Sequence, residues 1–240
     1  MKKEEFLKAI AAAAIQYYPG YRILPSLTIA QASLESRWGD SGLAKDCYNY
    51  FGMKWSSTCG TAFKEYTTGE QTTEGVPYTI KARFRKYSGI KEGIKGYYDF
   101  LQYPRYSNLK GITDYKEACN LIRKDGWATD IAYTTKLVSL IETYELWKYD
   151  LQAVYANAPE EAIIPGADCL AIIWLQYKLN NYLKGKSGFK ELVVDGIYGA
   201  KTKGALLMFW RFLGWNKDGQ ITGWEAGSKT KAALAEVKCK

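Results

Sequence analysis

Apolar residues recur every three or four positions in five segments of the first 150 residues. These segments span residues 3–18, 25–38, 91–102, 114–124 and 130–148. Such spacing places apolar side chains on one face of a helix and predicts five amphipathic helices. Pro19 and Gly20 are expected to end the first of them. The longest unbroken apolar run, residues 9–15, is far shorter than the roughly 20 residues that span a bilayer, so membrane insertion is not expected.

A second pattern lies between the helices, where apolar and polar residues alternate. The apolar positions are Tyr78, Ile80, Ala82 and Phe84, and the polar ones are Thr79, Lys81, Arg83 and Arg85. This period of two predicts a half-buried strand, with residues 61–68 as its antiparallel partner. Gly69 and Gly75 favour an irregular connection between the two strands. The expected fold class is mainly α (α+β), with helices around a small β-hairpin lobe and a cleft between them.

The character of the chain changes after residue 150. Residues 151–167 lose the helical periodicity and contain Pro159, Pro165 and Gly166, which is typical of a linker. Beyond them, an Asp-Gly turn followed by G-x-K-T-K-x-A-L occurs twice, from Asp195 and from Asp218. Each copy predicts a tight turn and then a helix, and residues 169–183 predict another helix before them. We therefore expect a first domain over 1–150, a linker over 151–167 and a small three-helix domain over 168–240.

The chain contains no histidine, and this absence excludes several kinds of chemistry. Zinc hydrolases rely on histidine ligands, and Ser-His-Asp or Cys-His hydrolases need imidazole as their base. If the protein is an enzyme, carboxylates are its expected acid and base. No metal and no other cofactor is expected.

The cysteines show no metal-binding spacing such as C-x-x-C, and their number is odd. Free thiols are expected, although an oxidising compartment could join Cys47 to Cys59. The five are Cys47, Cys59, Cys119, Cys169 and Cys239.

The formal charge of +8 favours a negatively charged partner. Nucleic acid, anionic membrane and the anionic polymers of a bacterial wall all qualify. Residues 168–240 hold 12 Lys and Arg but only 6 Asp and Glu, so most of the excess lies there. No Lys/Arg-rich helix or known nucleic-acid module accompanies it, so nucleic acid is not the expected partner.

The segment IAQASLESRWG at residues 29–39 resembles the A-Q-A-x-L-E-S-x-W-G motif of bacterial glucosaminidases, glycoside hydrolase family 73. Further segments resemble the family in the same order: NYFGMK at 49–54, Glu65-Tyr66 before ARFRKY at 82–87, PRY at 104–106, and GWATDIAY at 126–133. Tyr50, Lys64 and Trp127 depart from the residues usual in the family. The resemblance implies a lysozyme-like helical domain that cleaves peptidoglycan glycan strands as an endo-β-N-acetylglucosaminidase.

The end of the chain resembles the three-helix peptidoglycan-binding domain, whose hallmark is D-G-x-x-G-x-x-T. Asp195, Gly196, Gly199 and Thr202 match that pattern, whereas Phe209-Trp210 replaces the usual Phe-Gln. The resemblance implies wall binding through Asp195, Tyr198 and Thr202.

Glu35 is the expected general acid. It lies four residues before Gly39, in the last turn of its predicted helix, where the negative end of the helix dipole disfavours an ionised carboxylate. A protonated carboxyl group is what a glycosidase needs to protonate the leaving oxygen. The alternative is a solvated glutamate at the end of a helix.

Glu65 is the expected second carboxylate by resemblance, facing Glu35 across the cleft to activate water or to stabilise positive charge on the sugar. The alternative is a surface glutamate paired with Lys64, Arg83 or Arg85. Glu70 and Glu74 compete for the same role on sequence grounds.

Tyr133 matches the tyrosine of the family's A-T-D-x-x-Y segment and is expected to orient the acetamido group or the intermediate. The alternative is a core tyrosine. Aromatic and amide side chains suited to sugar rings are expected to bind substrate, or else to belong to the core: Trp38, Asn49, Phe51, Tyr106 and Trp127.

Three other functions stay open at this stage: a muramidase, a lytic transglycosylase, and a wall-binding protein without catalysis. Glu4, Glu5 and Lys8 interrupt the pattern of a signal peptide. We therefore expect a monomer made in the cytoplasm that reaches the wall by phage lysis, as an endolysin would, or by a nonclassical export route.

Overall fold

The computed structural model describes residues 2–71, 77–216 and 224–237. The chain divides into two compact units, Met1–Asp150 and Leu151–Lys240. In the described part of the chain, no helix combines the length and apolar character needed to cross a membrane.

The first unit is built mainly of helices, as predicted. They are α1 Lys3–Tyr21, α2 Pro25–Ser36, α3 Gly42–Cys47, α4 Ile90–Phe100, a 3₁₀ helix Pro104–Leu109, α5 Tyr115–Lys124 and α6 Tyr133–Thr143. A further helix, α7 Trp147–Ala156, starts in this unit and continues into the second. The first six residues of the predicted linker are therefore helical.

The hairpin lobe consists of β1, Ala62–Gln71, paired antiparallel with β2, Pro77–Lys86. Glu65 lies directly opposite Arg83 in the register. Gly69 belongs to β1, whereas Gly75 lies outside the described residues. The mainly α fold with a small β hairpin confirms the predicted fold class.

Two helix boundaries differ from the prediction. Pro19 does not end α1, which continues to Tyr21 and stops where Arg22 adopts a left-handed conformation, φ 53°. One proline near a helix end removes a single backbone hydrogen bond, which the remaining contacts can tolerate. The helix predicted over 130–148 is divided into α6 and α7 by a turn in which Glu145 has φ 51°.

Helix α2 is the central helix of the first unit. It packs against α1 and α6 and is buried along most of its length, so more than one of its faces is covered. Its N-terminus is bonded to α7, because the Ser26 amide donates a 2.7 Å hydrogen bond to Oδ1 of Asp150. The last turn of α2 reaches the surface and carries Glu35.

The second unit contains α8 Cys169–Leu183, α9 Ala200–Phe212 and α10 Ser228–Ala235. The strand-like residue Ile163 pairs with Ala226. Lys231 donates to three consecutive backbone carbonyls, from Pro159 to Glu161, so this end of the predicted linker is fixed to α10. Asp218 lies outside the described residues.

The described cysteines, Cys47, Cys59, Cys119 and Cys169, are all free thiols. Cys47 and Cys59 are therefore not joined in this structure. Cys47 and Cys119 are buried in the first unit.

Candidate active site

Glu35 projects from the last turn of α2 with an exposed side chain. Its Oε1 atom accepts two hydrogen bonds, one of 2.6 Å from the hydroxyl of Tyr133 and one of 3.2 Å from the indole Nε1 of Trp127. Tyr133 is the first residue of α6, and Trp127 lies in the loop that precedes it. The structure thus brings together three of the residues singled out from the sequence.

The hydroxyl of Tyr133 is held by a second residue of α2. Gln31, one helical turn before Glu35, donates a 3.0 Å hydrogen bond from Nε2 to the Tyr133 oxygen. Its Oε1 accepts a hydrogen bond from the hydroxyl of Tyr97 on α4. Gln31 and Tyr97 are completely buried, and Tyr133 is 4% exposed.

These contacts fix the direction of every hydrogen bond in the chain Tyr97–Gln31–Tyr133–Glu35. Because Tyr97 donates to the amide oxygen of Gln31, the amide nitrogen faces Tyr133 and donates to it. The single hydroxyl proton of Tyr133 is then free to point at Glu35. Burial first, and the Glu35 carboxylate next to it second, raise the pKa of Tyr133, so the phenol remains a donor near neutral pH.

Trp127 packs against four other aromatic side chains. Its ring makes edge contacts with Tyr97, Phe100, Tyr106 and Phe51 at centroid distances of 5.5 to 6.5 Å. Phe51 and Tyr106 are 5% and 2% exposed, and Phe51 stacks on Tyr97. Phe51 and Tyr106 therefore support the Trp127 ring. A direct contact of Phe51 or Tyr106 with a sugar stays a prediction.

Trp38 and Asn49 lie outside the hydrogen-bonded group around Glu35. The Trp38 ring packs edge-on against Phe6 and Tyr144. The amide of Asn49 is engaged with backbone, because it donates to the carbonyls of Met53 and Arg85 and accepts from the Met53 amide. Asn49 therefore joins the loop before the hairpin to the end of β2.

Glu65 lies on the exposed hairpin, where it forms an ion pair. Arg83, directly opposite on β2, donates from Nε to Oε1 of Glu65 at 3.0 Å, and both side chains are about half exposed. The Arg83 guanidinium also lies over the ring of Phe63 at 4.6 Å. The pairing with Arg83 is one of the alternatives that the sequence left open. Lys64 instead pairs with Asp46 on α3.

Residues 11–146 match the glucosaminidase family, described as mannosyl-glycoprotein endo-beta-N-acetylglucosaminidase. The chain belongs to the glucosaminidase family. The match covers more than half of the chain and confirms the resemblance seen in residues 29–133. It does not reach the second unit, so the resemblance of residues 168–240 to a peptidoglycan-binding domain stays a prediction.

Two relatives of this glucosaminidase chain are a glucosaminidase and a peptidoglycan hydrolase by name. The exo-glucosaminidase LytG of Bacillus subtilis is 34% identical over 170 residues, which are 65% of this chain and 58% of that protein. The peptidoglycan hydrolase FlgJ of Escherichia coli is 33% identical over 121 residues, which are 48% of this chain and 38% of that protein. The chain thus spans little more than half the length of the first relative and less of the second.

The fold of the glucosaminidase unit is also found in a solved structure. The catalytic domain of the autolysin Auto from Listeria monocytogenes superposes with a TM-score of 0.56 at 32% identity. The alignment covers 62% of this chain and 87% of that one. The lysozyme-like class predicted from the sequence agrees with this neighbour.

Sequence reasoning missed two members of the hydrogen-bonded group that leads to Glu35, namely Gln31 and Tyr97. Gln31 could have been found, because it is four residues before Glu35 and hence on the same face of α2. Tyr97 had no comparable local signal. It lies 66 positions from Gln31 and reaches it only through the packing of α4.

Two of the residues predicted to bind the wall, Asp195 and Tyr198, lie in the turn before α9 of the second unit, and the third, Thr202, lies in the first turn of α9. Gln176 of α8 donates to the Asp195 side chain and to the Thr202 hydroxyl, and it accepts from the Asp195 and Gly196 amides. Tyr198 is 8% exposed and donates to the carbonyl of Trp224. Asp195, Tyr198 and Thr202 therefore hold this turn together, and their contact with a wall polymer stays a prediction.

Proposed function

We propose that this chain is a peptidoglycan hydrolase that cleaves glycan strands as an endo-β-N-acetylglucosaminidase. The observation that carries the proposal is the exposed Glu35 carboxyl group held by Tyr133 and Trp127. The family membership and the names of the relatives support the same activity. The name of LytG specifies exo action, so the choice of endo rests on the family description.

Glu35 acts as the general acid in this proposal. Both hydrogen bonds from described residues reach Oε1, which leaves Oε2 to carry the proton to the glycosidic oxygen. As that proton leaves, negative charge develops on the carboxylate. The hydrogen bonds from Tyr133 and Trp127 strengthen with the charge, so they stabilise the transition state more than the ground state.

Glu65 acts as the second carboxylate, which activates water or stabilises the positive charge at the sugar. Arg83 donates to its Oε1 atom, and the Arg83 guanidinium also packs on the ring of Phe63, which supports the position of the carboxylate. Trp127 supplies an aromatic face for a sugar ring, and Tyr133 lies close enough to Glu35 to meet the acetamido group of the cleaved residue.

The second unit is proposed to bind the cell wall, with anionic wall polymers as further partners of its positive charge. The substrate is bacterial peptidoglycan. The protein is proposed to act as a monomer on the wall after release from the cytoplasm by lysis or by nonclassical export.

The bond that is cut can be identified from the new reducing ends. Purified peptidoglycan is digested, reduced with borohydride and examined by mass spectrometry. We expect fragments that end in N-acetylglucosaminitol. Their amount should increase with time for the wild type but not for Glu35→Gln. Muramitol would instead identify a muramidase, and ends that resist reduction would identify a lytic transglycosylase. Release of short fragments from within long strands distinguishes endo from exo action.

A further inference from the structure

A groove of about 340 Å³ lies in the first unit, close to Trp127, which donates a hydrogen bond to Glu35. One wall is formed by β2 and the loop before β1, including Arg85. The other is formed by one face of α4, including Glu92, and by Tyr103 beyond it. Its volume is within the range of small-ligand sites.

A single aromatic side chain, Phe100, connects the groove to Trp127 and through it to Glu35. Phe100 lines the groove and contacts the ring of Trp127 at 5.8 Å. Trp127 in turn donates to Glu35. Tyr103, which contacts Phe100, is 55% exposed. A substrate that lies on Trp127 with its cleaved bond at Glu35 therefore has the groove within reach of a side branch.

The charges in the groove fall into two kinds. Lys95 and Asp99, one turn apart on α4, are paired with each other at 2.8 Å. Arg85 and Glu92 have no ion-pair partner among the described residues, although they line the same groove. Arg85 lies on the β2 wall and Glu92 on the α4 wall, so the positive and the negative side chain line the same groove without forming an ion pair.

Arg85 is held in place before any ligand arrives. Its backbone amide donates to the Met53 carbonyl at 3.0 Å, and its own carbonyl accepts from the Asn49 side chain. Its Nε atom donates to the Lys54 carbonyl at 3.2 Å, and the guanidinium has further N–H donors with which to meet an anion. Such a preformed site reduces the entropy lost on binding.

We propose that this groove binds the peptide stem of peptidoglycan, with Arg85 on a stem carboxylate and Glu92 on the stem's free amine. The inference rests on the proposed function, since the stem is a side branch of that substrate. The sugars of the glycan strand are neutral, whereas the stem carries charges of both signs. A groove with one unpaired cation and one unpaired anion therefore suits the stem better than a further length of glycan.

Direct binding tests the groove without any hydrolysis. The tetrapeptide L-Ala-γ-D-Glu-L-Lys-D-Ala is titrated into the full chain carrying Glu35→Gln, and binding is followed by calorimetry. Adding Arg85→Gln is expected to weaken binding about tenfold, because a hydrogen bond to a charged group is lost. Glu92→Gln is expected to weaken it similarly. Lys86→Gln is the matched control, since it removes the same charge from the next residue of β2, whose side chain points to the other face.

A second ligand separates specific contact from general attraction. The same tetrapeptide with its carboxylates converted to amides should bind about tenfold more weakly, and Arg85→Gln should then cause no further loss. Absence of saturable binding, or equal losses for Arg85→Gln and Lys86→Gln, would overturn the proposal.

Hydrolysis supplies an independent comparison. Glycan strands that keep their stems are compared with strands stripped of them by an amidase, and the ratio of kcat/KM on the two substrates is measured. The ratio should fall about tenfold in Arg85→Gln and stay at the wild-type value in Lys86→Gln. An unchanged ratio in Arg85→Gln would count against the stem as the ligand. If the wild type cleaves neither substrate, the proposed function fails, while the tetrapeptide titration still decides the role of the groove.

Discussion

Tyr133 donates a 2.6 Å hydrogen bond to Oε1 of Glu35, although the two residues are 98 positions apart in the chain. The contact joins the last turn of α2 to the first residue of α6. Since Gln31 occupies the acceptor side of the Tyr133 oxygen, the phenol has one direction in which to donate. The Glu35 carboxyl group, the proposed general acid, is thus oriented by a buried network that joins Gln31 of its own helix to Tyr133 of α6.

Replacing Tyr133 by Phe should lower kcat about 10- to 100-fold, because one hydrogen bond to the developing carboxylate is lost. KM should change little, since the bond is made to Glu35 and not to the ground-state sugar. Initial rates on solubilised glycan strands give both constants. Tyr17→Phe, which removes a phenol elsewhere in the first unit, is the control. A rise in KM at constant kcat would show that Tyr133 serves substrate binding instead.

Gln31→Leu should lower both kcat and stability. It removes the donor to Tyr133 and leaves the buried Tyr97 hydroxyl without its acceptor, at a cost of about 1–3 kcal/mol in the free energy of unfolding. Adding Tyr97→Phe removes that orphaned hydroxyl and should recover much of the stability, while kcat stays low. Urea unfolding and steady-state rates are measured on both variants. If the double variant recovered kcat together with stability, Gln31 would have only a structural role.

Glu65→Gln should lower kcat strongly if this carboxylate activates water, and azide should then restore turnover with a glycosyl azide as product. Thermal melting should change little, because a half-exposed ion pair contributes little stability. Arg83→Gln breaks the same pair but keeps the carboxylate, so it should retain much more activity than Glu65→Gln.

The same assay distinguishes the alternative in which the substrate's acetamido group acts beside Tyr133. In that case the loss in Glu65→Gln is mild, azide has no effect and Tyr133→Phe is the more damaging change. Equal losses in Glu65→Gln and Arg83→Gln would mean that the pair matters only for the shape of the hairpin.

The stability of the first unit should depend on the titration of Asp150. Burial raises the pKa of this carboxyl group from 3.8 to about 7, against the opposing effect of the Ser26 hydrogen bonds. The folded state therefore binds the proton more tightly than the unfolded state. Stability from this group is full below pH 4 and is lost as the pH rises to about 7, by at most about 1.4 kcal/mol per pH unit.

Asp150→Asn should flatten this part of the profile and raise stability above pH 7, since the amide oxygen can still accept from the Ser26 amide. Urea unfolding between pH 4 and 8 measures the effect. Asp114→Asn is the control, because Asp114 accepts from the Lys116 amide at the start of α5 in an exposed position. A wild-type profile that rises with pH across this window would contradict the assignment.

Wall binding should depend on the second unit. The full chain is expected to pellet with purified cell walls, and a fragment of residues 1–157, which keeps α7 whole, is expected to pellet much less while still cleaving soluble glycan. Added salt should weaken the binding of the full chain, because exposed charges are screened over about 10 Å at 0.1 M salt. Equal pelleting of fragment and full chain would place the adhesive surface in the first unit.

The sequence by itself determined the fold class, the hairpin and the position of Glu35 in the last turn of its helix. These features depend on short-range patterns: the apolar spacing, the alternation in residues 78–86, and the distance from Glu35 to Gly39. The composition alone also made carboxylates the expected acid and base, because the absence of histidine can be read from the sequence without a structure.

Only the tertiary structure decided which of the singled-out residues meet. Tyr133 and Trp127 reach Glu35 from about 90 or more positions away, and Tyr97 enters the network through the packing of α4. Asn49, which the sequence presented as a sugar contact, instead bonds the backbone of Met53 in the loop before the hairpin and the carbonyl of Arg85 on β2. Hydrogen-bond partners of this kind depend on how helices and strands pack across the chain, and no local period in the sequence encodes that packing.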